Sequence, residues 1–464
     1  MRASLSLLLW LPLLTACAQQ PTSVTADACA SLFRDWNNAS AASRDAQYPA
    51  IAGFPGLRSS RLDAALAPDA RTPAQRQLWL QRLVANDRQA SAVELANLPA
   101  ERRIHWRAEP VQAQLDGCRG QQQQRLLDDP EAFERLRGAS QVADDYSPWA
   151  RTLGLYPLFK PFYKRGIAAW QAEAAHYQAP RDTPQWLSYQ PLSRDEAVIA
   201  PLTPDALGLP RADAQQLAAL LARHAPLLRI EQGSQADRVG QPRFDNQGQR
   251  SFAPTQPQLY QHSSWSRIDG RWHLQLIYQF WFSERPKPHA LDIFGGELDG
   301  LLWRVTLDQQ GHALLYDAIH PCGCWHSFYL PAGSPLVFRQ PADQEARLAR
   351  RLEIDGESAA TLWLSSGTHS LRWVDGRRSA YPSMLYSQQP LDRLRQLAHP
   401  QGSRSLYGRD GLVAGSQRLE RWLLWPSGVR SPGAMRQWGR HATAFVGRAH
   451  FDDPDLLTRY FHWP

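Results

Sequence analysis

The sequence predicts an α+β protein, in which an N-terminal helical region precedes a C-terminal antiparallel β-sandwich-like domain. Apolar residues at helical spacing characterise residues 17–145. Short aromatic and apolar runs, separated by polar turns, characterise residues 211–464. The stretch between them, residues 146–210, is aromatic and then Pro-rich, which predicts a connector and a linker. A chain of 464 residues is too long for one small core, so two or three domains are expected.

The helical region has recognisable boundaries. Thr72 followed by Pro73 is typical of an N-cap and a first helical residue, ahead of a run with leucines on helical spacings. Residues 108–136 predict two further helices, with the break expected near Gly117 to Gly120.

The connector allows two interpretations. Residues 146–175 interleave aromatic and apolar side chains with Lys160, Lys164 and Arg165. Such a segment either lies against a membrane surface or forms a buried connection between domains. Pro157 and Pro161 interrupt a long amphipathic helix, which favours the buried connection.

The sequence of the second half of the chain predicts β-structure. Apolar and aromatic runs of strand length recur, and turn-like sequences such as "DGR" separate them. The predicted strands are residues 273–282, 300–308, 312–320, 360–366 and 369–375. A helix is predicted just before them, at residues 211–224.

The start of the chain has the layout of a secretory signal. Arg2 precedes an apolar run, Leu5–Leu14, that is too short to span a bilayer. The run ends in Leu14-Thr15-Ala16-Cys17, which resembles the lipobox of bacterial lipoproteins. The resemblance implies removal of residues 1–16, acylation of Cys17 and attachment to lipid; an ordinary secretory signal is the alternative. Ala18, where Asp would favour the inner membrane, implies the outer membrane, with the protein facing the periplasm.

The composition argues against a nucleic-acid partner. The formal net charge is +7, but the 51 basic residues are scattered, only three of them are lysines, and no Gly-rich phosphate loop is present. Eighteen tryptophans, concentrated in the second half, favour an aromatic core over a ligand platform.

The five cysteines fall into three groups along the chain: one follows the apolar start, two lie in the helical region and two lie in the β-rich region. Cys17 is assigned to lipid, and an oxidising periplasm favours disulfides among the other four, for which three pairings exist. Cys29 and Cys118 share the helical region and are predicted to pair, closing a long loop worth about 4–5 kcal/mol in the chain-entropy model.

The remaining two cysteines stand in "IHPCGCWHSFY", residues 319–329. On a strand, His320, Cys322, Cys324 and His326 would share one face, and thiolate and imidazole are ligands that Zn and Cu prefer. A bend at Pro321 and Gly323 would bring some of them together. A Cys322–Cys324 disulfide and a redox-active thiol pair are the alternatives, and the sequence leaves all three open.

Candidate acid/base residues lie nearby in the sequence. Glu297 and Asp299 stand in a turn-rich loop between two strong strands, and His369 lies in "SSGTHSL". Carboxylates there can serve as proton carriers or metal ligands. The alternative is a solvated loop whose carboxylates pair with neighbouring basic residues.

The order of features over residues 224–375 is similar to that of the β-sandwich family of necrosis-inducing and vacuolar-sorting-like proteins. The features are "HAPLLRIE", "IYQFWF", "GELDGLLWRVTLDQQG", a His-bearing strand end and "SSGTHSL". The family carries a His-Asp-Trp-Glu run where this chain has Glu297-Leu298-Asp299-Gly300, and that departure puts the family's cation site and toxin activity in doubt. The whole chain also resembles uncharacterised outer-membrane lipoproteins of Gram-negative bacteria.

These observations predict a lipid-anchored periplasmic protein with a Zn or Cu site at His320, Cys322, Cys324 and His326. Metal-assisted hydrolysis would follow, with Glu297 or Asp299 moving the proton and His369 nearby. The alternative is a non-catalytic envelope protein with stapled cysteines, whose helical region docks an envelope protein partner.

Overall fold

The structure is a computed structural model that describes residues 26–106, 108–193, 199–357 and 359–464. The predicted signal segment 1–16 and the predicted acylation site Cys17 lie outside the described residues. The prediction of an α+β protein, with helices first and a β-rich part after them, is confirmed.

Helices dominate the chain up to residue 175, as their capping and apolar patterns predict. Thr72 and Gln75 form the reciprocal capping box of α3, whose N-terminus is therefore confirmed. The helices are α1 Ala26–Ala39, α2 Arg61–Leu66, α3 Pro73–Ala96, α4 Ala100–His105, α5 Ala108–Asp128, α6 Pro130–Ala139, α7 Pro148–Leu153, α8 Tyr156–Ala175, α9 Ala214–Arg223, α10 Arg421–Leu424 and α11 Leu456–Tyr460.

The predicted disulfide between Cys29 and Cys118 is present and joins α1 to α5. The predicted helix break at Gly117–Gly120 is wrong, because α5 runs through both glycines. The chain breaks instead at Asp129, since Pro130 cannot continue the hydrogen-bonding pattern and the Asp129 carboxylate caps α6.

The β-rich part is built on one mixed sheet of 11 strands, in the order β13-β11-β10-β9-β8-β7-β16-β1-β4-β14-β15. The strands are β1 Trp186–Pro191, β2 Thr203–Pro204, β3 Pro210–Arg211, β4 Leu227–Glu231, β5 Gln241–Phe244, β6 Arg250–Ala253, β7 Gln258–Ile268, β8 Arg271–Arg285, β9 Gly296–Leu307, β10 Ala313–Ile319, β11 Ser327–Leu330, β12 Val337–Phe338, β13 Leu348–Arg351, β14 Thr361–Leu364, β15 Leu371–Asp375, β16 Met384–Pro390, β17 Leu397–His399, β18 Gly402–Arg404 and β19 Phe461–His462.

Most neighbours in this sheet are antiparallel, but four pairs are parallel: β1 with β16, β16 with β7, β4 with β14 and β11 with β13. The range predicted as a linker thus contributes an interior strand, β1. Its six residues follow Pro184 closely, end in Pro191 and show too short an apolar pattern to stand out in the sequence. One face of the sheet packs into the largest apolar core, which includes Tyr278, Phe280 and Trp303.

The aromatic connector forms α7 and α8, which pack against the C-terminal loops. Ser147 donates its backbone N–H to Gly428 O at 2.7 Å, and the Tyr156 hydroxyl donates to Phe445 O at 3.1 Å. Gly154 lies so close to Pro426 that a Cβ atom there would be 2.6 Å from the proline ring. Pro161 lies inside α8, which nevertheless continues to Ala175. None of the helices in the described part of the chain has the length and apolar character needed to span a bilayer.

Candidate functional site

The HPCGC segment forms a tight turn. It joins β10 to β11, with the His320 N–H donating to Cys324 O at 3.0 Å and the Gly323 N–H donating to His320 O at 2.8 Å. Gly323 has φ +89°, and a Cβ atom there would lie 2.3 Å from Ala442 O, so only glycine fits. Because the segment is a turn, the alternation of a strand does not apply, and the four predicted metal ligands do not form a row.

The two histidines at the ends of this turn contact different carboxylates. His320 Nδ1 lies 3.3 Å from Asp299 Oδ1, whereas His326 Nε2 lies 2.8 Å from Asp317 Oδ2. Arg304 makes a bidentate ion pair with Asp317. Among the described residues, no three or more His, Cys, Asp or Glu side chains are grouped to hold a metal ion.

Asp299 is the centre of a buried polar network, which we call the Asp299 network: Asp237, Asp299, His320, His369 and Arg418. Asp299 Oδ2 lies 2.8 Å from His369 Nδ1, and Arg418 donates to Asp299 Oδ1 at 3.2 Å. Burial alone would raise the pKa of Asp299, but the charges of Arg418 and His320 lower it well below its usual range. The carboxylate is therefore ionised and serves several donors at once.

His369 is held between two carboxylates. Its Nε2 atom lies 3.4 Å from Asp237 Oδ1, and the Phe282 ring stacks on the imidazole at 3.8 Å between centroids. Burial opposes the charged form, yet hydrogen bonds with Asp237 and Asp299 raise the pKa of His369 above its ordinary value. Asp237 also accepts the backbone N–H of Gly233 and Gly367, at 2.8 and 2.7 Å, so it fixes the loop that carries His369.

The sequence-predicted residues Asp299, His369 and His320 are thus brought together, but out of reach of solvent. Asp237, Asp299 and His369 are 0% exposed and His320 is 2% exposed. A substrate cannot touch these groups in this conformation, so the network positions loops. The third predicted catalytic residue, Glu297, lies apart on the surface, where it pairs with Arg250.

Cys322 and Cys324 are both free thiols placed side by side. The Cys324 thiol donates a hydrogen bond to Cys322, and this bond, with the charge of Arg418, lowers the pKa of Cys322 against the effect of burial. The same bond, together with burial, raises the pKa of Cys324 well above its ordinary value. Cys322 is 4% exposed, whereas Cys324 is partly exposed. The pair therefore combines the buried Cys322, whose thiolate is stabilised, with Cys324, which is partly exposed as a residue.

Cys324 lies in the wall of an apolar cavity of about 240 Å³. Aromatic and aliphatic side chains from α8, α10 and the loops 293–294 and 325–326 form most of that wall, among them Phe162, Trp170, Phe294 and Leu423. The Trp170 and Trp325 rings meet at 5.1 Å. We call this space the thiol cavity.

Glu420 is a residue that sequence reasoning missed, as are Asp237 and Arg418 of the Asp299 network. It lines the thiol cavity, and burial raises its pKa to about 7 despite the opposing charges of Arg418 and Arg285. Its charge also raises the pKa of both thiols. In the sequence it stands in "RLERWLL", where it reads as a solvated residue of a short helix. The unusual apolar run of residues 146–175 was the available signal for the cavity, since α8 supplies much of its wall.

Comparisons with models of protein families, with curated proteins and with solved structures find no match for this chain.

Proposed function

We propose that this chain is a lipid-anchored periplasmic protein whose Cys322 and Cys324 form a redox-active dithiol for apolar thiol or disulfide substrates. The observation that carries the proposal is the pair of free thiols, of opposite pKa shift, of which Cys324 lies in the wall of the thiol cavity. The Cys29–Cys118 disulfide supports an oxidising compartment, as does the lipobox-like sequence at Cys17.

The pKa of Cys322 is lowered and that of Cys324 is raised, and this difference favours the Cys322–Cys324 disulfide as an oxidant. A substrate thiolate in the thiol cavity attacks Cys324 Sγ, and the Cys322–Cys324 bond breaks. Cys322 leaves as the thiolate, which the charge of Arg418 stabilises, and a leaving thiol of low pKa leaves faster. Glu420, with its pKa near 7, accepts the proton that the substrate thiol gives up.

A second substrate thiolate then attacks the substrate sulfur of the mixed disulfide, and Cys324 leaves as a thiolate that takes up a proton. The products are a substrate disulfide and the reduced protein dithiol, so two thiols are oxidised for one protein disulfide reduced. Exchange with the disulfides of other periplasmic proteins or of small molecules restores the oxidised form.

The same cysteine pair suits two further roles, which are binding of a metal ion and formation of a structural disulfide. Two adjacent thiolates are soft ligands that suit Cu(I) better than Zn, so a copper ion held by Cys322 and Cys324 is a second candidate. A permanent disulfide between them would instead favour the third role, a non-catalytic envelope protein whose helical region docks a partner.

One experiment separates the three roles. The chain from residue 18, purified from periplasm without chelator or reductant, is assayed for metal by elemental analysis and for thiols before and after reduction. The Cys322→Ser and Cys324→Ser variants are then incubated with dihexyl disulfide or with glutathione disulfide, and mixed disulfides are measured by mass spectrometry.

The redox role predicts a reducible Cys322–Cys324 disulfide and no stoichiometric metal. It also predicts that Cys324, left alone in Cys322→Ser, captures the hexyl group in preference to glutathione, while Cys324→Ser captures little. Stoichiometric copper or zinc that both variants lose would establish metal binding instead. A disulfide that resists mild reduction, with no capture by either variant, would establish a structural staple.

A further inference from the structure

Exposed apolar side chains are concentrated on one face of the molecule. Nine of the sixteen large apolar residues that are exposed in the described part of the chain belong to two short segments. We call them the apolar patch: Trp149, Leu153, Leu155, Leu158, Phe159 and Phe162 from α7–α8, and Trp422, Leu423 and Trp425 from α10 and the turn after it.

The two segments of the patch are neighbours in space. Both α7 and α8 contact the turn at residues 425–427, and the Arg151 guanidinium donates to Ser427 O at 2.7 Å. Phe162 and Leu423 line the same cavity. The patch is therefore one surface built from parts of the chain that lie about 270 residues apart.

The helical spacing shows that this exposure is a built feature of α8. Tyr156, Tyr163 and Trp170 recur every seven residues and pack inward, against Phe445 and Trp325. Leu155, Leu158 and Phe162 recur at intervals of three and four and face outward; Leu158 is 72% exposed. The helix thus carries apolar residues on the face toward the protein and on the face away from it.

Basic side chains accompany the patch. Segment 148–175 carries Arg151, Lys160, Lys164 and Arg165 against a single acidic residue, Glu173. The third lysine of the chain, Lys287, lies against Gly295, next to Phe294 in the wall of the thiol cavity. In a chain where arginine supplies nearly all the positive charge, all three lysines thus lie on the elements around this cavity.

We propose that the apolar patch docks on the surface of a bilayer that contains anionic lipid. Tryptophans and leucines enter the interfacial region, while the lysines beside them meet the phosphate headgroups. A protein partner would equally bury the apolar residues, but the net positive charge beside the patch favours an anionic lipid surface. Docking needs no acyl chain, and it goes beyond the thiol chemistry proposed above.

The test is vesicle flotation of the chain from residue 18, which keeps every described residue and lacks the acylation site Cys17. Vesicles of phosphatidylethanolamine with phosphatidylglycerol are compared with vesicles of phosphatidylcholine, at low and high salt. We expect the protein to float with the anionic vesicles, and added salt to weaken binding because the Debye length shortens.

The paired substitution Leu158→Glu with Phe162→Glu is expected to weaken binding by about tenfold or more, because two apolar side chains no longer enter the lipid. Trp422→Glu, on a different element, tests the same surface if the pair fails to fold. The matched controls are Leu192→Glu and Leu385→Glu, which alter leucines that are exposed outside the patch.

Three results would overturn the proposal. The first is that the chain without substitutions stays unbound to anionic vesicles at low salt. Equal loss of binding in the control and patch variants would show that the patch is not the docking surface. A dimer in solution that only the patch variants convert to monomer would assign the surface to a second copy of the chain.

Discussion

Asp299 Oδ2 lies 2.8 Å from His369 Nδ1, although 70 residues separate the two in the chain. Strand β9 supplies the carboxylate, and the loop between β14 and β15 supplies the imidazole. The contact therefore locks a loop to a central strand through a charged hydrogen bond.

Asp299→Asn is expected to destabilise the protein by about 3–5 kcal/mol, because it leaves the buried Arg418 and His369 without their carboxylate. Urea unfolding followed by circular dichroism measures the change. Glu297→Gln is the matched control, two residues away and on the surface, and it should change stability by less than about 0.5 kcal/mol. Equal effects of the two substitutions would contradict the assigned role of the network.

The buried neutral histidines predict a loss of stability on acidification. Burial lowers the pKa of His224 and of His326 to about 4. In the unfolded chain each binds a proton near pH 6.5, so the free energy of unfolding should fall between pH 6.5 and 4, by about 1.4 kcal/mol per pH unit for each histidine. His224→Gln should reduce that slope, and an unchanged slope would contradict the prediction.

His369 contributes with the opposite sign. Since its folded-state pKa is raised, its contribution is fully present below its unfolded pKa and is lost as the pH rises through the folded value. His369→Gln should therefore cost more stability at pH 5.5 than at pH 9, as measured by urea unfolding at both values. A cost that does not depend on pH would show that the imidazole is neutral in the folded protein.

The disulfide should stabilise the helical part. Replacing both Cys29 and Cys118 by serine is expected to cost about 2–5 kcal/mol, because the unfolded chain regains the freedom of a long loop. Hydrogen exchange resolved by segment should show the loss of protection first in α1, while β8 keeps its protection.

Glu420→Gln should make the thiols more reactive. The charge of Glu420 raises the pKa of both thiols. Its removal should therefore move the pH dependence of Cys324 alkylation by N-ethylmaleimide to lower pH. The pH profile of the unsubstituted protein should show an inflection near pH 7 from Glu420, and the variant should lack it. The alkylation rate at pH 8 should rise by about two- to tenfold in the variant. Glu297→Gln serves as the control, and an identical pH profile in both variants would remove Glu420 from the site.

Local signals explain which parts of the fold were predictable. The capping pair Thr72 and Gln75 and the apolar runs of β8 and β9 act over a few residues, so the sequence displays them directly. Strand β1 was predicted as part of a linker, because its stability comes from pairing with β4 and β16, far along the chain.

The candidate site likewise combines features that have a local sequence signal with features that depend on distant parts of the chain. Asp299, His320 and His369 stand out as polar residues among strands, but their meeting in one buried network depends on pairings across the sheet. The close approach that excludes a side chain at Gly323 comes from the carbonyl of Ala442, and the raised pKa of Glu420 depends on burial by other segments. None of these has a local sequence signal.

The position of β16 constrains the order in which the sheet can be assembled. This strand pairs with β7 on one side and with β1 on the other, and among the strands that the structure describes it is the one that joins the two halves of the sheet. Until residues 384–390 emerge, β1 and β7 each present an open edge, and open edges invite association with other chains. A chain that is synthesised from its N-terminus supplies β16 only after about four-fifths of its length, so those two edges stay unpaired until late in synthesis.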